Sequence, residues 1–292
     1  MATKAELIKK LRTTTQAGMM DCQKALIENN NDFDLAVQWL REKGITKAIK
    51  KAGAIAAEGV TKAIVEKNKA IIIEVNSQTD FVATNEKFIK LVDEMVNVIK
   101  KEAKADKDIA GLKVNGKLIT EAGMDLTATI GEKIAFRRAN ILTATAKQTI
   151  SSYTHANNRV ASIVLIEGKV DAEVAKNVCM HIAAMSPKYL GEKDVDPTWL
   201  ANEKKVLIEQ TIAEGKDAKF ADKIVIGRVN KLLKEICLVN QKYVKDSSLT
   251  VEQYVKNAGG VIIAMYRYEV GEGIERKCEN FADEVAAQMA KK

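Results

Sequence analysis

Only two prolines, Pro187 and Pro197, punctuate 292 residues. Most of the chain is therefore free to run as long helices and lacks the many turn residues an all-β sandwich needs. Aromatics at 5%, beside abundant Ala, Lys, Glu, Ile and Val, point the same way. A composition 47% hydrophobic and 29% charged is that of an ordinary globular protein, which excludes disordered, collagen-like and mucin-like chains. The length supports one large domain or two to three ordinary ones. The formal charge is +7 and the pI about 9.0, with acids and bases interspersed, so nucleic acid is not a required partner. No apolar run approaches the roughly 18 residues of a membrane span; Ala70 to Ile73 and Ser162 to Ile166, for example, are of strand length. The first residues include Glu6 and no continuous apolar stretch, which argues against secretion. Cys22, Cys179, Cys237 and Cys278 are widely spaced without a C-x-x-C, so a disulfide framework or zinc ribbon is not expected and a reducing cytoplasm fits.

Periodicity organises the rest. A capping box at Thr3 and Glu6 opens a helix with Leu7, Ile8 and Leu11 on one face, and Gly18 lies beyond its end. A second short helix from about Asp21 would bury Cys22, Ala25 and Leu26 before Asn29, Asn30 and Asn31 stop it. Asp32 caps a third, with Phe33, Ala36, Val37 and Leu40 at helical spacing and Gly44 as the expected stop. The Lys/Ala-rich stretch from Lys43 to Glu58 reads as a helical linker. Val60 to Val65 and Ala70 to Val75 form a hairpin, followed by a polar loop over Asn76 to Thr79 and a helix bearing Phe88, Leu91, Val92, Met95 and Ile99. A strand from Thr145, a turn at Ala156 to Asn158, a strand over Val160 to Ile166 and a helix over Ala172 to Met185 repeat that order, suggesting a duplicated core. After Pro197 a helical hairpin turns at Glu214 to Asp217; a strand over Val261 to Tyr268 and an amphipathic helix ending at Lys292 close the chain.

Several candidates for chemistry weaken on inspection. Gly111 to Leu118 satisfies G-x-x-x-x-G-K, but Leu118 stands where a phosphate loop needs a hydroxyl, and a charged stretch precedes it; a surface turn is the better reading. Gly271 and Gly273 lack the third glycine of a dinucleotide fingerprint. Cys179 and His181 could offer two metal ligands or a nucleophile pair, yet no second ligand pair accompanies them, and two residues apart on a helix they face different ways. Lys43, Lys47, Lys50 and Lys51 read as a solvated face, since no aromatics interleave them. More informative are apolar residues where water is expected. Met19 and Met20 follow Gly18 at the start of a helix, either plugging the module or offering an adaptable patch. Phe81 follows Asn76-Ser77-Gln78-Thr79-Asp80; on the residues alone it is first an anchor folding back on its helix, and second a wedge.

Leu11, Arg12 and Thr15, Ala17 to Cys22, Ala25 and Leu26, Leu40 and Arg41, and Lys43 and Gly44 together resemble the N-terminal signature of the bacterial translation elongation factor Ts family. Glu74 to Ala83 with Asn85 and Phe88 resembles that family's second signature. Similar matches run through Gly131 to Ile134 with Arg137 and Arg138, Tyr153 and His155, Met180 to Met185 with Pro187, Gly227 and Arg228, and Glu269 to Glu275. The resemblance implies an α+β, predominantly helical fold. Its parts would be a ubiquitin-associated-like three-helix module at 1–45, a linker at 46–59, and a core of two α/β subdomains with small antiparallel sheets. Those subdomains would be 60–140, and 141–194 with 229–270; a helical hairpin (coiled-coil) insertion would occupy 195–228 and a C-terminal helical module 271–292. It also implies a guanine nucleotide exchange factor for elongation factor Tu, one that displaces the partner's GDP and magnesium, needs no cofactor or metal of its own and is not an enzyme. Arg12, Met19 and Met20 match positions that hold the GTPase; Thr79, Asp80, Phe81 and Val82 match the segment intruding near its magnesium. Ile130, Gly131, His155, Val244 and Met289 match further contacts. No membrane and no direct nucleic acid contact are expected, and a homodimer or a 2:2 complex stays open. The chain departs from the family's pattern at Ala156, Asn157 and Asn158, where glycines are common, which leaves the turn that places His155 less assured. Ser77 and Gln78 replace a commoner Cys-Glu, and Ile226 stands for an acid, a change expected to affect packing. The competing class is an RNA-binding or ubiquitin-like adaptor, distinguished by a steep salt dependence.

Overall fold

A computed structural model describes residues 4–15, 17, 19–216 and 218–275, without the side chains of 45–50 and 218–221. The described residues group into two compact units, one of 4–60, 74–138 and 269–275, the other of 61–73 and 139–268. This grouping does not follow the subdomain boundaries expected from the sequence. Thr3, Gly18 and the closing helix fall outside the described residues.

The first unit opens with α1 (Lys4–Thr15), α2 (Met19–Glu28) and α3 (Phe33–Lys51). They enclose Leu11, Cys22, Ala25, Leu26, Ala36 and Leu40. The asparagine run ends α2 as expected, with Asn30 and Asn31 at positive φ, and the Asp32 carboxylate accepts from the Leu35 N–H at 2.9 Å. Gly44 does not stop α3, which continues a further two turns. A Cβ at Gly44 would lie 3.0 Å from the Ala128 Cβ, so the glycine admits a close helix–helix approach where a stop was expected.

Then come β1 (Glu58–Glu66) and β2 (Lys69–Ser77), each with residues in both units, and α4 (Asp80–Ala83) and α5 (Glu86–Glu102) of the first unit. Lys67 takes positive φ in the β1–β2 turn. α5 buries Phe88, Leu91, Val92, Met95, Val96 and Ile99, the stripe its periodicity predicts. Gly111 to Leu118 is a surface hairpin, β3 (Lys113–Val114) with β4 (Lys117–Leu118), turning at Asn115 and Gly116. α6 (Gly123–Ile130) and β5 (Ile134–Thr143) follow, neither predicted from the sequence; β5 lies beside β2 in a sheet of order β1-β2-β5.

In the second unit β6 (Gln148–Thr154) pairs antiparallel with β7 (Val160–Glu167), with Tyr153 opposite Ser162. α7 (Ala172–Met185) packs on them. The helical hairpin is α8 (Pro197–Ala213) with α9 (Ala218–Ile236), so the second helix runs beyond the expected residue 228. Ile226, expected to matter for packing, is 62% exposed on α9. β8 (Lys242–Tyr243), β9 (Asp246–Thr250), α10 (Val251–Asn257) and β10 (Val261–Glu269) complete the unit, with sheet order β10-β7-β6. Both three-stranded sheets place a later strand beside the second strand of a hairpin, the repetition the sequence order suggested. No described helix is long and apolar enough to cross a membrane.

Candidate functional site

The site is built on the end of β2. Ala70, Ile71, Ile72, Ile73, Val75, Asn76 and Ser77 are buried, so this strand is fixed in the core up to the residue before Gln78. The chain then turns into α4. Thr79 is its N-cap, in extended conformation, and its Oγ1 accepts from the Val82 N–H at 3.4 Å. The same hydroxyl donates to the Glu132 carboxylate at 2.8 Å, and Ser77 Oγ donates to the Thr79 carbonyl at 2.8 Å. Gln78 Oε1 accepts from the Lys133 N–H at 3.2 Å. A glutamate at 78 would accept equally, so the departure from the family pattern keeps this contact. Beyond α4 the Thr84 hydroxyl donates to the Phe81 carbonyl at 3.0 Å, and the Asn85 carboxamide oxygen caps α5.

The result is a fixed corner with two faces. Val82 and Ala83 turn inward and are buried. Val82 therefore anchors the corner and offers no surface to a partner. Asp80 and Phe81 face water, Phe81 at 83% exposure. The anchor reading of Phe81 is overturned: Val82 and Phe88 fill that role from within.

Met19 and Met20, at the start of α2, are 59% and 75% exposed and do not plug the module, whose core is closed by Cys22 and Leu26. Arg12, in the last turn of α1, lines a shallow basic cleft of about 440 Å³ with Lys9, Thr13 and Lys87. Ile130 is half-buried at the end of α6, and Gly131 ends that helix at φ 85°, a left-handed conformation that favours glycine. These residues share one unit with the corner.

His155 and Val244 belong to the other unit. The turn at Ala156 to Asn158 forms without glycine. Asn158 adopts φ 55° and donates to the His155 carbonyl at 2.8 Å, while Asn157 Oδ1 accepts from the Arg159 N–H at 3.0 Å. His155 is exposed, its Nδ1 3.0 Å from the Tyr153 hydroxyl. Val244 is 50% exposed, and its N–H donates to Nδ1 of the buried His181 at 3.2 Å. That contact leaves the proton on Nε2, which donates to Gln241 Oε1 at 2.9 Å. Burial holds the His181 pKa below its usual value, partly opposed by the Gln241 bond. The unfolded chain therefore binds a proton that the folded one refuses. This stability is full above about pH 6.5 and is lost as pH falls from there through the folded pKa. The midpoint of urea unfolding should drop between pH 7.5 and pH 5.5, and drop less in His181→Gln; an equal drop in both would dismiss the account.

Met289 lies outside the described residues. Among the described residues no three His, Cys, Asp or Glu side chains cluster to hold a metal. Cys179 is inert, its pKa pushed by burial up to about 12. Sequence reasoning missed the support of the corner: Glu132 beneath Thr79, and Glu74, a fully buried carboxylate that accepts from Arg137 at 2.8 Å, Arg138 at 2.7 Å and the Gly271 N–H at 2.9 Å. Both sat inside recognised motifs, and only their contacts reveal their work.

An exposed aromatic and carboxylate on a braced corner share one unit with a module displaying two methionines, a surface suited to docking on another macromolecule. The family model for elongation factor TS matches residues 78–272, more than half of the chain. Elongation factor Ts of Ureaplasma urealyticum serovar 10 is 53% identical over 290 residues, covering 99% of this chain and 100% of the relative. That of Malacoplasma penetrans is 49% identical over the full length of both, and that of Mycoplasmoides gallisepticum 46% identical over 99% of this chain. The chain belongs to the elongation factor Ts family, whose role is nucleotide exchange in translation elongation.

Proposed function

We propose that this protein binds elongation factor Tu in its GDP form, disrupts the magnesium and nucleotide site of that partner, and promotes GDP release so that GTP can rebind. The observation that carries the reading is Phe81, 83% exposed on a backbone held from both sides. No bond is made or broken. An exchange factor that binds the nucleotide-free GTPase more tightly than the loaded form weakens nucleotide binding by the same factor. Phe81 gains burial only when a pocket of the partner opens, and that difference drives exchange. Asp80, adjacent and exposed, sets a negative charge against the phosphates and the water shell of magnesium. Met19 and Met20 supply adaptable apolar area for docking and Arg12 a charge-assisted contact, with Ile130, Gly131, His155, Val244 and Met289 as further contacts.

The test loads elongation factor Tu with fluorescent GDP, chases with unlabelled GDP and follows release with and without this protein. Acceleration is expected, and its absence overturns the reading. Met19→Ser with Met20→Ser should raise the half-saturating concentration about tenfold, since apolar burial is lost at docking, with little change in the maximal rate. A fall confined to the maximal rate would remove the docking role.

A further inference from the structure

We propose that Glu132 is a positioning residue for the Asp80–Phe81 corner, a role that rests on the exchange reading above. A threonine hydroxyl has one proton and two lone pairs, whereas an ionised carboxylate can only accept. Because Glu132 accepts a hydrogen bond from the Thr79 hydroxyl at 2.8 Å, the Thr79 oxygen is left to face the Val82 N–H as an acceptor. The carboxylate thereby sets the rotor of the cap, and the cap sets the first turn of α4, which consists of Asp80, Phe81 and the residues that hold them.

Glu132 is itself placed by its neighbours. Gly131 ends α6 in the left-handed region, turning the chain toward Thr79. The Lys133 N–H binds the Gln78 side chain, and its Nζ donates to the Ala54 carbonyl at 2.9 Å. Residues 131–133 thus form a strap with three fastenings, two of them on the pair of residues immediately before Asp80. α4 is one turn long and could not hold its shape alone, because a single turn fixes several dihedrals for little hydrogen bonding. A side-chain brace from a distant segment supplies what propagation cannot.

Two readouts test this, one of them independent of any partner. In the free protein, Glu132→Ala should speed hydrogen exchange at the Val82 amide about tenfold, because a cap has lost its orienting acceptor. Amides within α5, such as Val92 and Val96, should keep their protection. In the fluorescent-GDP assay on elongation factor Tu, the same variant should lower the maximal release rate about tenfold and leave half-saturation within about twofold. Glu132→Gln, whose carboxamide oxygen can still accept, should restore most of both. Thr79→Val combined with Glu132→Ala should be little worse than either alone, since the two act through one bond.

Unchanged Val82 exchange in Glu132→Ala overturns the brace. A Glu132→Gln variant as impaired in GDP release as Glu132→Ala overturns positioning in favour of a charge acting on the partner. Wild-type protein that fails to accelerate release overturns the exchange reading and with it the functional role, while Val82 exchange still decides whether the brace exists.

Discussion

Phe81→Ala is expected to lower the maximal stimulated release of GDP by roughly 30- to 150-fold, because hiding a phenyl side chain from water is worth about 2–3 kcal/mol and each 1.4 kcal/mol is tenfold in rate. The side chain is 83% exposed in the free protein, so its removal leaves no cavity. The unfolding midpoint should therefore stay within experimental error. The separation of the two effects follows from geometry. Val82, Ala83 and Phe88 hold the corner from within, and Phe81 contributes nothing to that core. Under the proposed mechanism, in which Phe81 is buried only by the opened partner, affinity for nucleotide-free elongation factor Tu should fall with the rate, and affinity for the GDP form hardly at all. Phe81→Leu should recover part of the rate. Equal losses of affinity for both forms would make Phe81 an ordinary docking contact and sink the wedge. The assay compares initial release at saturating factor with half-saturation on each partner form.

The helices and hairpins with unbroken periodicity were legible because their information is local. The α5 stripe of Phe88, Leu91, Val92, Met95 and Ile99 needs only its own spacing, and Asp32 announces α3 by residue type. β5 was not legible. Arg137 and Arg138 break its apolar pattern, and what keeps them in a strand is Glu74, more than 60 residues earlier. Gly44 misled for the same reason. Glycine after an apolar helix face usually marks a stop, but here the absent side chain makes room for Ala128, a neighbour invisible to local pattern. At the site, the unusual placement of Met19, Met20 and Phe81 was visible in the sequence, whereas their exposure was not. An aromatic after Asp80 can fold either way, and the choice depends on whether Val82 and Phe88 already fill the space beneath. Glu132 and Glu74 could be found only by asking which groups satisfy Thr79 and the arginines.

Glu74→Ala carries the largest expected loss of stability. The carboxylate has no exposure and receives donors on both oxygens, Arg137, Asn76 and Gly271 on one and Arg138 on the other. Arg138 also reaches the Glu272 carboxylate at 2.9 Å, so the clamp ties β2 and β5 to residues 271 and 272. Removing one partner of a buried pair costs about 3–5 kcal/mol, because the charge left behind has lost its counterion. Here the arginine side chains are 25% and 32% exposed and can partly rehydrate. The lower end, about 3 kcal/mol, is therefore expected, a fall in Tm of roughly 6–12 °C for a chain of this size. Glu74→Gln should recover little. An amide has one accepting oxygen, and its NH2 group would be turned against an arginine donor, replacing an attraction with a clash of like dipoles. Thermal unfolding of the three proteins followed by circular dichroism decides the matter. A fall of less than about 2 °C in Glu74→Ala would mean that water replaces the carboxylate and that the clamp is dispensable. Well below that Tm the folded variant should still accelerate GDP release more than Phe81→Ala does. On these expectations Glu74 governs whether the strand beneath the corner persists, and Phe81, under the proposed exchange mechanism, what the corner does once it is there.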